Sequence, residues 1–123
     1  MSGSSSLLDT NILLDLLGGK LDQGALPQGN LAVSFVTELE LLSYPEIGEE
    51  DEKKIGKLLD ETFIVNINQK IKVTAIDLRE RYKLKLPDAT VAATAVYLEA
   101  DLVTNDRELS KVKEIKTLSL PSR

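Results

Sequence analysis

Short apolar runs alternate along this chain with longer stretches of helical periodicity. Leu7-Leu8, Leu31-Ala32-Val33, Phe63-Ile64-Val65, Leu102-Val103 and residues 115–118 have the length and apolar character of strands. Leu13, Leu14, Leu16 and Leu17 predict a first helix, which Gly18-Gly19 ends, and residues 27–30 carry loop chemistry ahead of the second strand. Ile71, Ala75, Leu78 and Tyr82 fall at i, i+4, i+7 and i+11, the stripe of an amphipathic helix that ends before Pro87. Ala89, Ala92, Ala93, Ala95 and Val96 then form a small-residue helix able to approach a sheet closely. Alternating β and α elements predict an α/β domain whose mostly parallel sheet is covered by helices on both faces.

The chain has 123 residues, the usual size of one domain and enough to bury a real core. It contains no Cys and no His. Disulfides and thiolate metal sites are therefore excluded, and the commonest general base is missing, so any catalysis rests on carboxylates, Lys, Tyr or hydroxyls. Residues 1–6 read as a flexible leader or an expression remnant, which leaves 7–123 as the domain. They lack the features of a secretory signal, and no apolar stretch reaches membrane-spanning length, so a cytoplasmic protein with no membrane partner is expected. The densest charge run, Glu49-Glu50-Asp51-Glu52-Lys53-Lys54, reads as a solvated helix face with Glu49–Lys53 and Glu50–Lys54 at i, i+4 spacing.

Four other acids fall at element boundaries. Asp9 directly follows the first predicted strand, and the carboxyl ends of parallel strands are where ligands gather; as a structural alternative, Asp9 or Asn11 could cap the following helix. Asp106 stands in the same relation to Leu102-Val103, with the same alternative. Thr37-Glu38-Leu39-Glu40 has the spacing of a capping box, with Thr37 at the N-cap and Glu40 at N3. Asp88 follows Pro87 at the start of the Ala-rich helix, where the helix dipole favours an ionised carboxylate. Carboxylates within about 4–6 Å raise one another's pKa, so four acids gathered at one sheet edge stay ionised only beside a cation. All-oxygen ligation favours Mg²⁺ or Mn²⁺. The formal charge is −5, from 15 basic and 20 acidic residues; setting four acids aside leaves 15 − 16, or −1, so a nucleic-acid substrate is not excluded.

Leu7-Leu8-Asp9-Thr10-Asn11, residues 34–42 with Thr37-x-x-Glu40-Leu41, Pro87-Asp88-Ala89-x-x-Ala92-Ala93-x-Ala95, and Val103-Thr104-Asn105-Asp106 resemble, in order and spacing, the four acidic motifs of PIN-domain proteins, and among them the VapC-type toxins. The resemblance spans residues 7 to about 118. It implies a five-stranded sheet in the order 3-2-1-4-5, with the crevice between the first and fourth strands as the topological switch point. Position by position, it implies Asp9, Glu40, Asp88 and Asp106 as catalytic acids and metal ligands, Glu40 directly or through water. Glu38 is the rival to Glu40. Asn11, Thr37 and Thr104 match supporting polar positions, and Glu108 stands where many relatives carry a further Asp.

The reaction so implied is hydrolysis of RNA phosphodiesters by metal-activated water, with one or two Mg²⁺ or Mn²⁺ ions and products bearing a 5′-phosphate and a 3′-hydroxyl. Arg79, Arg81, Lys83, Lys85 and Arg107 are the candidates for phosphate contacts, with a plain solvated helix face as their alternative. Aromatic residues make up 4% of the chain, which disfavours recognition by base stacking. The family further implies a homodimer and an antitoxin that blocks the acidic site, often with an Arg. Two other readings are a catalytically idle PIN-like module and a phosphotransferase of the haloacid-dehalogenase type; the latter needs a second Asp where Asn11 stands. A GTPase is disfavoured because the chain has no phosphate-binding loop motif.

Overall fold

The computed structural model describes residues 5–46 and 48–121. Its strands are β1 (Ser5–Leu8), β2 (Asn30–Ser34), β3 (Phe63–Val65), β4 (Asp101–Val103) and β5 (Thr117–Leu118). The helices are α1 (Thr10–Leu17), α2 (Phe35–Leu42), α3 (Glu49–Asp60), α4 (Gln69–Tyr82), α5 (Leu86–Leu98) and α6 (Arg107–Ser110), and a single 3-10 turn covers Gln23–Ala25. All strand pairs are parallel and the order is β3-β2-β1-β4-β5. Of the six residues expected as a leader, 1–4 lie outside the described residues, while Ser5 and Ser6 already belong to β1 and pair with Asn30 and Leu31.

Period-two alternation along the inner strands divides the apolar residues between two cores. Leu7, Ala32 and Leu102 point to one side of the sheet, where they meet Ile71, Ala75 and Leu78 of α4 and the Ala-rich face of α5. Leu8, Val33 and Val103 point to the other, where they meet Ile12 and Leu13 of α1, Leu41 of α2, and Ile55 and Leu59 of α3. Ala89, Ala92, Ala93 and Ala95 are fully buried, so their small volumes let α5 lie close to the sheet. The charge run forms the start of α3 and stays largely solvated.

Two elements differ from their sequence signals. Ser34, not Thr37, caps α2, and its hydroxyl oxygen accepts the Val36 N–H at 3.1 Å. The capping-box spacing is therefore coincidental: Thr37 and Glu40 both lie inside the helix, where side chains three apart share a face. The last strand is also shorter than residues 115–118 suggest, because only Thr117 and Leu118 pair with β4.

Candidate active site

The carboxyl ends of β1 and β4 adjoin at the point where the strand order reverses, the position at which open parallel sheets bind ligands. Asp9 leaves β1 there, its N–H donating to the Val103 carbonyl at 3.0 Å. It is also the N-cap of α1, so capping and site placement are the same geometry. Its Oδ1 accepts the Thr10 N–H at 2.8 Å and its Oδ2 accepts the Thr104 hydroxyl at 2.7 Å. Thr104, buried directly after β4, also accepts the Asp106 N–H at 3.0 Å. This turn places Asp106 three residues beyond the strand, where it caps α6 by accepting the Glu108 N–H at 2.9 Å.

Glu40 reaches the same edge from α2. Its Oε1 accepts the Thr10 hydroxyl at 2.6 Å, and Thr10 in turn lies 3.0 Å from the buried Thr37 hydroxyl. Asp88 enters from the first turn of α5, half-buried, with no hydrogen bond from the described residues. Glu38 joins neither cluster partner: the acids felt by Asp9 are Asp106 and Glu40, and those felt by Asp88 are Asp106, Asp9 and Glu40. The structure thus brings Asp9, Glu40, Asp88 and Asp106 together and leaves Glu38 outside.

Electrostatics follow from that crowding. Asp9 is only 5% exposed, and burial pushes its carboxyl above the ordinary range, with Asp106 and Glu40 adding to the rise and the Thr104 and Thr10 hydrogen bonds opposing it. Asp88 is pushed up to about 6, first by burial and then by the charges of Asp106, Asp9 and Glu40; Lys85 alone pulls it down. Every donor that holds Asp9, Glu40 or Asp106 is a hydroxyl or a backbone N–H. Among the described residues the ion pairs are Arg81–Asp77, Arg81–Glu114 and Lys111–Glu108, none of which includes one of these acids. Three of the four carboxylates are thus oriented by hydrogen bonds, and among the described residues none of the four is ion-paired.

As the side chains stand, no group of three acids among the described residues is placed to hold one metal ion. The donor chemistry still fits a hard divalent cation, because an all-oxygen, unneutralised set holding a carboxyl pushed up to about 6 is relieved by positive charge. A Mg²⁺ ion commonly keeps several waters and takes only one or two carboxylates, so a tight protein cage is not required.

The other candidates fall in different places. Asn11 is exposed and lines, with Leu14, Asp15, Tyr44 and Asp106, a cleft of about 660 Å³ beside the acids. Glu108 pairs with Lys111 at 3.1 Å on the surface. Arg81 is engaged by Asp77 at 2.8 Å and by Glu114, and its guanidinium lies 5.2 Å from the Tyr82 ring centre. Arg79, Lys83, Lys85 and Arg107 are exposed with no ion pair among the described residues. Asn105 is structural: its side chain donates to the Leu120 carbonyl at 3.0 Å and accepts the Leu120 N–H at 2.8 Å, extending the β4–β5 pairing. The residue that motif reading missed is Thr10, whose only sequence signal is its place between Asp9 and Asn11.

Comparison with known proteins bears on this geometry. No curated protein matches the chain. Among solved structures, a chain of a toxin–antitoxin complex from Klebsiella pneumoniae is 32% identical, with 89% of this chain and 94% of that chain covered and a TM-score of 0.76. A chain of VapBC2 from Rickettsia felis, bound to a DNA fragment from their promoter, is 19% identical, with coverage of 94% and 98% and a TM-score of 0.81. VapBC-1 from nontypeable Haemophilus influenzae gives 22% identity, coverage of 94% and 97%, and a TM-score of 0.75. The PIN domain profile matches residues 6–115, which include all four acids. By that match, and by the parallel 3-2-1-4-5 sheet with acids gathered at its switch point, the chain belongs to the PIN domain family.

Proposed function

We propose that this protein is a metal-dependent endoribonuclease, the toxin of a VapBC-type toxin–antitoxin pair acting in the cytoplasm. One observation carries the reading: four carboxylates from four separated regions of the chain meet at the switch point of a PIN domain, and the three that are hydrogen-bonded, Asp9, Glu40 and Asp106, are held by uncharged donors alone. Asp9, Asp88 and Asp106 would hold one or two Mg²⁺ or Mn²⁺ ions, with Glu40 a ligand directly or through water. Such ions supply a hydroxide-like water near neutral pH and stabilise charge on a phosphodiester under in-line attack.

The chain's own residues do the remainder. Thr10 and Thr104 fix both oxygens of Asp9, so this carboxylate is set before any ligand arrives. The α5 start delivers Asp88 as a charge that is costly alone and favourable beside a cation. Lys83, Lys85, Arg79 and Arg107 are free to meet RNA phosphates, whereas Arg81 is committed to Asp77 and Glu114. The similarity to toxin–antitoxin complexes supports an antitoxin partner, and an Arg from it would suit the unneutralised acids. A homodimer is proposed on the same family grounds.

A second reading, a PIN module that binds without turnover, is favoured by one observation: no three acids among the described residues share one ion site. Cleavage of a total RNA pool in Mn²⁺, with ends mapped and wild type compared with Asp9→Asn, separates the two. Cuts at defined sites with 5′-phosphate ends, lost in Asp9→Asn and with EDTA, support the ribonuclease. Equal cutting by both proteins overturns the assignment of Asp9, and Mn²⁺ binding without cutting moves the protein to the second reading.

A further inference from the structure

Three of the four acids at the switch point, Glu40, Asp9 and Asp106, are linked by one continuous chain of hydrogen bonds. Glu40 is bonded to the Thr10 hydroxyl and Asp9 to the Thr10 N–H, while the Thr104 hydroxyl bonds Asp9 and accepts the Asp106 N–H. Thr10 therefore holds two acids that lie far apart in sequence, one through its backbone and one through its side chain. A hydroxyl has a single proton. With the Thr10 proton given to Glu40 Oε1 at 2.6 Å, the Thr37 hydroxyl at 3.0 Å is the donor across the second contact, and this sets the direction of the relay from Thr37 to Thr10 to Glu40.

Burial makes the arrangement rigid. Thr37 is fully buried and Thr10 is 9% exposed, so both hydroxyls must find partners within the protein. Thr37 and Glu40 share the inner face of α2, three residues apart, and both meet Thr10 across the α1–α2 junction. A glutamate has three rotatable bonds and wanders when half-exposed; the Thr10 bond restricts one oxygen and brings no countercharge to it.

We infer that Thr10 is a positioning residue of this site: its hydroxyl, itself aligned by Thr37, sets the Glu40 carboxylate relative to Asp9 so that both can serve one divalent cation. This inference rests on the reading of the acids as a metal centre. Outer partners that orient ligands typically change metal affinity by about 10–100-fold when removed. Loss of the Thr10 hydroxyl is thus expected to weaken Mn²⁺ binding at least about tenfold.

The test is Mn²⁺ titration calorimetry on the full chain, with unfolding followed by circular dichroism, for wild type, Thr10→Val, Thr10→Ser, Glu40→Gln and Thr10→Val/Glu40→Gln. The expected result is a loss in Thr10→Val close to that of Glu40→Gln, no further loss in the double variant, and recovery in Thr10→Ser to within about threefold of wild type. Wild-type affinity in Thr10→Val beside a clear loss in Glu40→Gln overturns the inference and leaves the metal centre standing. Equal losses in Thr10→Val and Thr10→Ser, or fully additive losses in the double variant, also overturn it, because the hydroxyl would then not act through Glu40. No Mn²⁺ binding by folded wild type overturns the metal-centre reading itself, and this inference with it. Should Thr10→Val fail to fold, Thr10→Ala against Thr10→Ser makes the same comparison, since that pair differs by the hydroxyl alone.

Discussion

Replacing Asp88 with Asn should make the metal-free protein more stable at neutral pH, although it removes an acid from the first turn of a helix. The Asp88 carboxyl is pushed from 3.8 up to about 6 in the fold. Between those values the folded state binds more protons than the unfolded state, so wild-type stability falls as pH rises through this window; the cost is absent below about 3.8 and complete above about 6. Taken at face value that shift corresponds to about 3 kcal/mol against the ionised form. Asp88 is only half-buried, and solvent screening reduces the figure to about 1–2 kcal/mol. The α5 dipole opposes the change, since losing a negative charge in the first turn costs about 0.3–1 kcal/mol. The net expectation is a gain of about 1 kcal/mol for Asp88→Asn at pH 7.5, or about 3–5 °C in Tm for a chain of this size, shrinking towards zero at pH 4. Thermal unfolding in EDTA at both pH values measures it. If Asp88→Asn is as stable as wild type or less stable at pH 7.5, the helix dipole outweighs burial and repulsion among the acids together, and the account of this site as a buried, crowded carboxylate cluster is wrong.

Asp9→Asn should abolish most RNA cleavage with little change in Tm, because Asn caps a helix about as well as Asp and can still accept the Thr10 N–H; combined with Asp88→Asn it should cost little further activity, and multiplicative losses in a kinetic cycle would show that the two do not share one charge cluster. Thr104→Val leaves the buried Asp9 Oδ2 without its donor and the Asp106 N–H without its acceptor, so urea unfolding should show a loss of about 1–3 kcal/mol, and a loss within error of zero would show that these bonds carry no net stability. Lys83→Gln with Lys85→Gln should weaken RNA binding and flatten its salt dependence, whereas Arg81→Gln, already paired with Asp77 and Glu114, should leave the salt slope of filter-binding assays unchanged; the opposite pattern would place the RNA path over α4.

Much of this molecule is legible in its sequence because the information is local. The strands show as short apolar runs, since the inner strands of a parallel sheet are buried on both faces. Stripes at i, i+4 and i+7 mark α4, and Gly18 marks the end of α1. The acids Asp9, Asp88 and Asp106 stand out because each follows a strand or opens a helix, and ordered spacing made the family recognisable. Local signals also mislead where two share a stretch. Thr37 and Glu40 have capping-box spacing, yet β2 runs on to Ser34 and the helix begins there, so the same two side chains turn inwards to Thr10. Ser5 and Ser6 give no strand signal at all; Ser6 is buried because its neighbours on both sides, Leu31 and Asp101, pair with it.

What only the tertiary structure decides is which distant groups meet. The Thr10–Glu40, Arg81–Glu114 and Thr104–Asp9 contacts join residues 30, 33 and 95 positions apart. No propensity or period encodes such pairs: Thr10–Glu40 and Thr104–Asp9 arise where separate strand ends are brought side by side at the switch point, and Arg81–Glu114 where the end of α4 meets the segment before β5. The same reason separates Glu40 from Glu38, two acids one residue apart on either side of Leu39, by the face of α2 that each occupies. It also accounts for the raised carboxyl of Asp88, which the fold first buries and then surrounds with Asp106, Asp9 and Glu40.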